Sequence, residues 1–182
     1  MAGIDLSRRT AIPPDDAMNS GLAPCGNSLM NHFGKPGRMT TNCSTVTNDR
    51  LERLIVTQDV GIFRVTGLKP AVSAIGRIAK RIQERDQALA KGLHTAGMLC
   101  CRAIRGSNRS WSIHSWGAAI DLYCGADVVP LGTPEVHVGV LRAYPYFHAE
   151  GWYSGMEFKR RDSMHFEASR QLVAQWVAKG WV

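Results

Sequence analysis

An α+β fold, a small and mostly antiparallel sheet with helices packed on one side, is predicted by three features of the sequence. Two short apolar segments, 96–104 and 118–125, are joined by a turn-rich loop, which suits antiparallel neighbours. A long segment, 68–89, carries apolar residues at helical spacing, and a second such segment closes the chain at 169–180. The length of 182 residues suits one domain, and a hydrophobic content of 45% is enough to build its core.

In chain order, residues 1–45 are rich in Pro, Gly, Asn, Ser and Thr, and are expected to form a loosely structured lead-in with one short helix at 28–33. The remainder, 46–182, is expected to be a single globular domain. In "NDRLERLIVTQDVGIFRVTG" the first half suits a short helix, whereas "GIFRVTG" alternates and suits a strand. Within 68–89, Pro70 fits a first helical turn. Val72, Ile75, Ile78, Ala79 and Ile82 form an apolar stripe, with Arg77, Lys80, Arg81 and Glu84 outside it. "AGMLCCRAI" reads as a strand, "RGSNRS" as a loop and "AAIDLYCG" as a second strand. On that strand Asp121 shares a face with Ala119 and Tyr123, while Ile120 and Leu122 face the other way. The stretch 126–152 supports no assignment. "MHFEA" suits a last strand. In "SRQLVAQWVAKG" a stripe of Leu172, Val173, Trp176 and Val177 predicts a helix that stops at Gly180.

The net charge of +7 favours anionic partners such as nucleic acid, acidic lipid or cell-wall polymer. Basic residues cluster at 80–81, 102–109 and 159–161, but no aromatic-interleaved motif or zinc finger accompanies them, so nucleic acid is not expected as a partner. No stretch approaches the ~20 apolar residues of a membrane helix, and the first 20 residues lack the apolar run of a signal peptide. Synthesis in the cytoplasm and a monomeric state are the expectations. The five cysteines, an odd number with no Cys-x-x-Cys, predict buried free thiols of a reducing cytosol rather than a disulfide framework or a thiolate zinc site.

The chemistry lies in two short stretches. In "SIHSWGAAIDLY" His114 and Asp121 flank Gly117, Ala118 and Ala119. A tight turn at Gly117 can fold the loop back so that both side chains reach one point, and the alanines leave room for that approach. "RRDSMHFE" adds His165, with Asp162 three residues before it. Two imidazoles and a carboxylate match the three-ligand pattern of a catalytic zinc, with Asp162 spare to act as general base. Spacing alone is equally compatible with ordinary polar residues, which is how His32, His94, His137 and His148 are read. No Gly-x-Ser-x-Gly supports a serine enzyme, and no cysteine has the context of a nucleophile.

"SIHSWGAAID" fits S-x-H-x-x-G-x-A-x-D, and "DSMHFE" fits the D/E-x-x-H element. Together they resemble the zinc metallopeptidases that group lysostaphin, D-Ala-D-Ala metallopeptidases and the Hedgehog signalling domain. The resemblance covers about residues 30–170. It is strongest to the D-Ala-D-Ala carboxypeptidase branch, which includes phage L-alanyl-D-glutamate endopeptidases acting as endolysins. "CCRAIRGSNRSWS", "FGKP" and "GWYSGMEF" are similar to peripheral features of that branch. The resemblance implies one Zn2+ held by His114, Asp121 and His165, with Asp162 as catalytic base. It implies that Arg102 holds the scissile carbonyl oxygen, with Arg105 the weaker candidate for that task and for substrate contact, and that Ser112 supports the site or touches substrate. An aspartate is one methylene shorter than the glutamate of some members, so its backbone must lie closer to the metal. Members often carry Trp-Gly-Gly where this chain has Trp152-Tyr153-Ser154-Gly155, a departure expected at the rim of the substrate cleft.

The implied substrates are peptidoglycan stem peptides, cut either at L-Ala–D-Glu or at D-Ala–D-Ala, with electrostatic contact to the anionic envelope. A cytoplasmic endolysin acting on the wall after release fits the lack of a signal segment. A zinc-binding wall module without turnover is the other reading, and Asp162 and Arg102 argue against it.

Overall fold

The computed structural model describes residues 4–14 and 18–182, so residues 1–3 and 15–17 of the lead-in lie outside the described residues. The fold is α+β, with every strand pairing antiparallel. A four-stranded sheet carries the site, in the order β4 (Leu93–Gly97), β5 (Ala119–Cys124), β8 (His165–Ala168) and β7 (Trp152–Ser154). Two smaller sheets flank it. One pairs β1 (Arg9–Ala11) with β6 (Glu135–His137), and the other pairs β2 (Ile55–Asp59) with β3 (Arg64–Leu68). No helix among the described residues is long and apolar enough to cross a membrane.

One face of the main sheet is core. Ile120, Leu122 and Phe166 are fully buried there, and Phe147 of α5 (Val138–Ala149) packs on Phe166 with ring centroids 4.6 Å apart. Helix α3 (Lys69–Arg85) buries the expected stripe of Val72, Ile75, Ile78, Ala79 and Ile82. Its outer residues Arg77 and Arg81 reach Glu150 just past α5, at 2.8 and 2.6 Å. The helix ends one residue before Asp86, whose carboxylate caps α4 (Gln87–Gly92) by accepting the Leu89 N–H. The C-terminal helix α6 (Arg170–Ala178) is capped by Ser169 and buries Leu172, Val173 and Trp176, while Val177 of the expected stripe is 41% exposed. Gly180 takes φ +64°, the left-handed conformation that stops a helix.

Two local expectations are corrected, and one unassigned stretch gains its elements. Residues 96–104 are not a continuous strand: β4 starts earlier and ends at Gly97, after an irregularity between Thr95 and Gly97, and 101 and 103 make only isolated bridges to Ser44 and Trp111. The segment "IVTQD" is β2 of a hairpin rather than part of a helix, and α2 spans only Asp49–Glu52. The unassigned 126–152 holds β6 and α5, with Pro145 inside the helix.

The lead-in is tied to the domain. Helix α1 (Ser28–Phe33) falls where composition places it, and buries Leu29 and Phe33. The Arg170 N–H donates to the Ala23 carbonyl, and Asn19 is buried with its side-chain amide spanning Ser154 and Glu157.

The expectation of free thiols throughout is also corrected. Cys43 and Cys100 form a disulfide, Cα atoms 4.9 Å apart, while Cys25, Cys101 and Cys124 are buried free thiols. The pairing is non-local, with a sequence separation of 57, and no spacing motif announces it. It arises because the lead-in runs beside residues 99–103, where the Ser44 N–H donates to the Cys101 carbonyl. Burial pushes the Cys25 thiol up to about 12 and Cys124 to about 11, and raises Cys101, so these three stay unreactive at neutral pH. The protein unfolded without reductant should therefore titrate three thiols of its five; five would contradict the disulfide. Reduction should lower stability by roughly 4 kcal/mol, read from the shift in a urea transition.

Candidate metal centre

The site is built by the second face of the main sheet and by one loop. Asp121 and His165 are directly opposed across the β5–β8 ladder, so both side chains stand on the same face. His114 comes from the 3₁₀ turn Ile113–Trp116 that precedes β5. Gly117 ends this turn at φ +64°, and its Cα touches the Gly67–Leu68 backbone so closely that an added Cβ would lie 2.6 Å from Gly67 Cα. Both the left-handed φ and the contact require glycine there. The turn expected at Gly117 is thus present, and it brings His114 over Asp121.

The three donor atoms form a near-equilateral triangle. His114 Nε2, Asp121 Oδ1 and His165 Nδ1 are each 3.1 Å from the other two. A tetrahedral ion with bonds of 2.0–2.1 Å holds its ligands roughly 3.3 Å apart. The outer atoms fix which nitrogens are bare. His114 Nδ1 donates to the Met98 carbonyl at 2.8 Å, which leaves Nε2 as the donor atom. His165 Nε2 donates to Glu167 Oε2 at 3.1 Å, which leaves Nδ1. Two imidazole lone pairs and a carboxylate oxygen facing one point form a buried set that a divalent cation satisfies and a single proton cannot. These three residues can hold a metal ion.

The electrostatics agree. Burial alone would raise the Asp121 pKa, yet the charges and hydrogen bonds of His114 and His165 hold it well below the usual carboxylate range. Burial opposes a charged His165, but hydrogen bonds to Asp121 and Glu167, and their charges, push it up to about 10. At neutral pH a proton therefore occupies His165 when no metal does, and metal must displace it. Zinc binding at pH 7.5 should release about one proton, measured by calorimetry in buffers of different ionisation enthalpy, and affinity should fall as pH is lowered. Heat independent of the buffer would contradict this.

The site opens into a cleft of about 900 Å³ that includes Arg102, Arg105, Ser112 and Asp162 together with the three donors. Asp162 follows β7 and precedes β8. Its N–H donates to Gly155 O at 2.9 Å, and its carbonyl accepts the His165 N–H at 3.1 Å. Burial raises the Asp162 pKa, and it feels the charges of His165, Asp121 and His114. An added Cβ on Gly155 would lie 2.6 Å from the Asp162 carbonyl, so a bare Gly155 lets Asp162 come in close. Gly155 closes the Trp152-Tyr153-Ser154-Gly155 stretch, where the chain departs from Trp-Gly-Gly. Its strand β7 is buried and does not line the cleft, contrary to the expectation of a rim.

Arg102 is half-buried, its backbone clasped by the fully buried Ser115, whose hydroxyl accepts from Arg102 N–H and donates to Arg102 O. Burial, and then the like charge of Arg105, lower its pKa, while Asp121 and Asp162 attract it. Arg105 lies on the exposed loop beyond. Ser112 is buried, with its N–H on Arg102 O and its carbonyl accepting from Ser115. The remaining histidines stay outside the cluster; His137, for example, accepts the Cys124 N–H.

Glu167 is the residue that motif reasoning passed over. It is 4% exposed, and its carboxylate accepts from His165 Nε2 and, at 2.7 Å, from the Cys25 N–H of the lead-in. The available signal was its position two residues after His165 on a strand, hence on the same face. Such carboxylates orient a ligating imidazole. Glu167→Gln should weaken zinc binding by about 10- to 100-fold, measured by chelator competition; unchanged affinity would remove Glu167 from the metal's support.

Among known families, the one described as D-alanyl-D-alanine carboxypeptidase matches residues 105–168, a segment that holds Ser112, all three donors, Asp162 and Glu167 but not Arg102. A search of curated proteins finds no match. Over residues 105–168 the chain is similar to that carboxypeptidase family, and with His114, Asp121 and His165 converging on one point it is a metallopeptidase.

Proposed function

We propose that the protein is a zinc peptidase that hydrolyses amide bonds of peptidoglycan stem peptides, as a phage or prophage endolysin cutting between L-Ala and D-Glu. The observation that carries the peptidase reading is the triangle of three donors 3.1 Å apart with Asp162 beside it in one cleft. Bound by His114, Asp121 and His165, zinc supplies a water with a pKa of ~7 and Lewis acidity toward the carbonyl. Asp162 takes the proton of the attacking water and passes it to the leaving amine. Its burial raises its basicity toward the working pH, which suits that role. Arg102 faces the developing charge on the carbonyl oxygen. Ser112 and Arg105 border the substrate.

The wall as the place of action is supported by the +7 charge, which favours anionic polymer, and by the Cys43–Cys100 disulfide, which persists in oxidising surroundings. A D-Ala–D-Ala carboxypeptidase is the second reading, favoured by the description of the matching family. Mass spectrometry of fragments from purified peptidoglycan, with and without a chelator, separates them. New L-Ala carboxyl and D-Glu amino ends support the endopeptidase, and loss of terminal D-Ala alone supports the carboxypeptidase. Zinc-loaded protein that releases nothing would leave a wall-binding module.

A further inference from the structure

We propose that the outer wall of the cleft is a carboxylate subsite, in which Arg105, Arg109, Lys159 and Arg160 hold a free acid group of the substrate peptide and so select acidic over amidated stem peptides. The proposal rests on the peptidase reading and specifies its substrate.

The four cations line the same cleft as the donor triangle. None of them makes an ion pair with a carboxylate among the described residues, whereas the arginines of α3 are paired to Glu150. The acids of the cleft are already engaged: Asp121 with two imidazoles, Glu167 with His165 and Cys25, and Asp162 beside the metal ligands. Of the four cations Arg105 also acts on the Asp162 carboxylate, which leaves the charge of Arg109, Lys159 and Arg160 free along the outer wall of the cleft that holds the donor triangle. Arg160 spans the two loops at the cleft mouth: its Nη1 donates to the Arg105 carbonyl at 3.4 Å, and its side chain lies against Gly106 and Gly132. The planar fork of a guanidinium at this place matches a carboxylate in two parallel hydrogen bonds. The same mouth presents Ile104 and Val128, 48% and 45% exposed, two of the few large apolar side chains left in solvent. Cations with adjoining apolar side chains suit a peptide bearing carboxylates and methyl groups.

The test compares cleavage of one synthetic stem tetrapeptide, with its side-branch carboxylates free, against the same peptide with those groups amidated. Wild-type protein should favour the free acid by about tenfold or more in kcat/KM, mainly through KM, and added salt should shrink the margin. In Arg160→Gln the acid-to-amide ratio should fall toward one. Lys159→Gln, which removes an ammonium that makes no hydrogen bond among the described residues, should lower the ratio too and guards against a folding defect in the first variant. Equal cleavage of acid and amide by wild type overturns the subsite while leaving the peptidase standing. A preference that survives in both variants overturns the assignment to these residues. Cleavage of neither peptide overturns the peptidase reading, and this proposal with it.

Discussion

Asp162→Asn is expected to lower turnover by roughly 10²- to 10⁴-fold while zinc content stays at the wild-type level. Asparagine keeps the shape and removes only the ability to take a proton at neutral pH. The local backbone does not depend on the carboxylate, because Asp162 is held by its own N–H on Gly155 O and by its carbonyl on the His165 N–H. The loss should therefore appear in kcat, with the thermal transition close to that of wild type. Because burial raises the Asp162 pKa, the acidic limb of the wild-type rate profile should lie above the pH at which an exposed aspartate titrates, and this limb should vanish in the variant. Unchanged turnover would remove Asp162 from the chemistry.

His165→Ala should abolish zinc retention and reduce turnover by on the order of 10³-fold or more, several kcal/mol of stabilisation at the reacting carbonyl. His165 sits between two buried or half-buried carboxylates, Asp121 and Glu167, so its removal also leaves both short of a partner. A loss of about 1–3 kcal/mol in stability should accompany it. His114→Ala serves as the contrast: it deletes an equivalent donor but leaves the His165–Glu167 pair intact. It should lose zinc and turnover alike with a smaller effect on stability, read from metal analysis and denaturant titration of the two variants side by side. Equal zinc content in either variant and the wild type would contradict the donor set.

Strongly periodic elements were legible in the sequence. The stripe of α3 repeats every three or four residues over several turns, and its burial follows directly. The candidate donors were legible through the resemblance their two stretches carry, since spacing alone was equally compatible with ordinary polar residues, and the structure brings His114, Asp121 and His165 together as a set that can hold a metal ion. What escaped had a physical reason in each case. The apolar run 96–104 reads as a strand, but the chain leaves the sheet at Gly97, φ +113°, and so brings the Met98 carbonyl to His114; Met98, Cys101 and Ala103 are buried in an irregular segment instead. Helix α5 is interrupted in pattern by Pro145, which cannot donate to the helical ladder. The Cys43–Cys100 bond and the Cys25–Glu167 hydrogen bond both depend on where the lead-in lies against the domain, which no local spacing encodes. Glu167 was present in the quoted motif; only the alternation of β8 gives it a partner.

One catalytic zinc held by His114, Asp121 and His165 makes hydrolysis follow metal occupancy, which is measured by stripping the protein of metal, titrating zinc back and following hydrolysis of stem peptides alongside bound metal. Activity absent at the start and rising in proportion to occupancy up to one ion per chain is the predicted result. Full activity in the metal-free protein would contradict it.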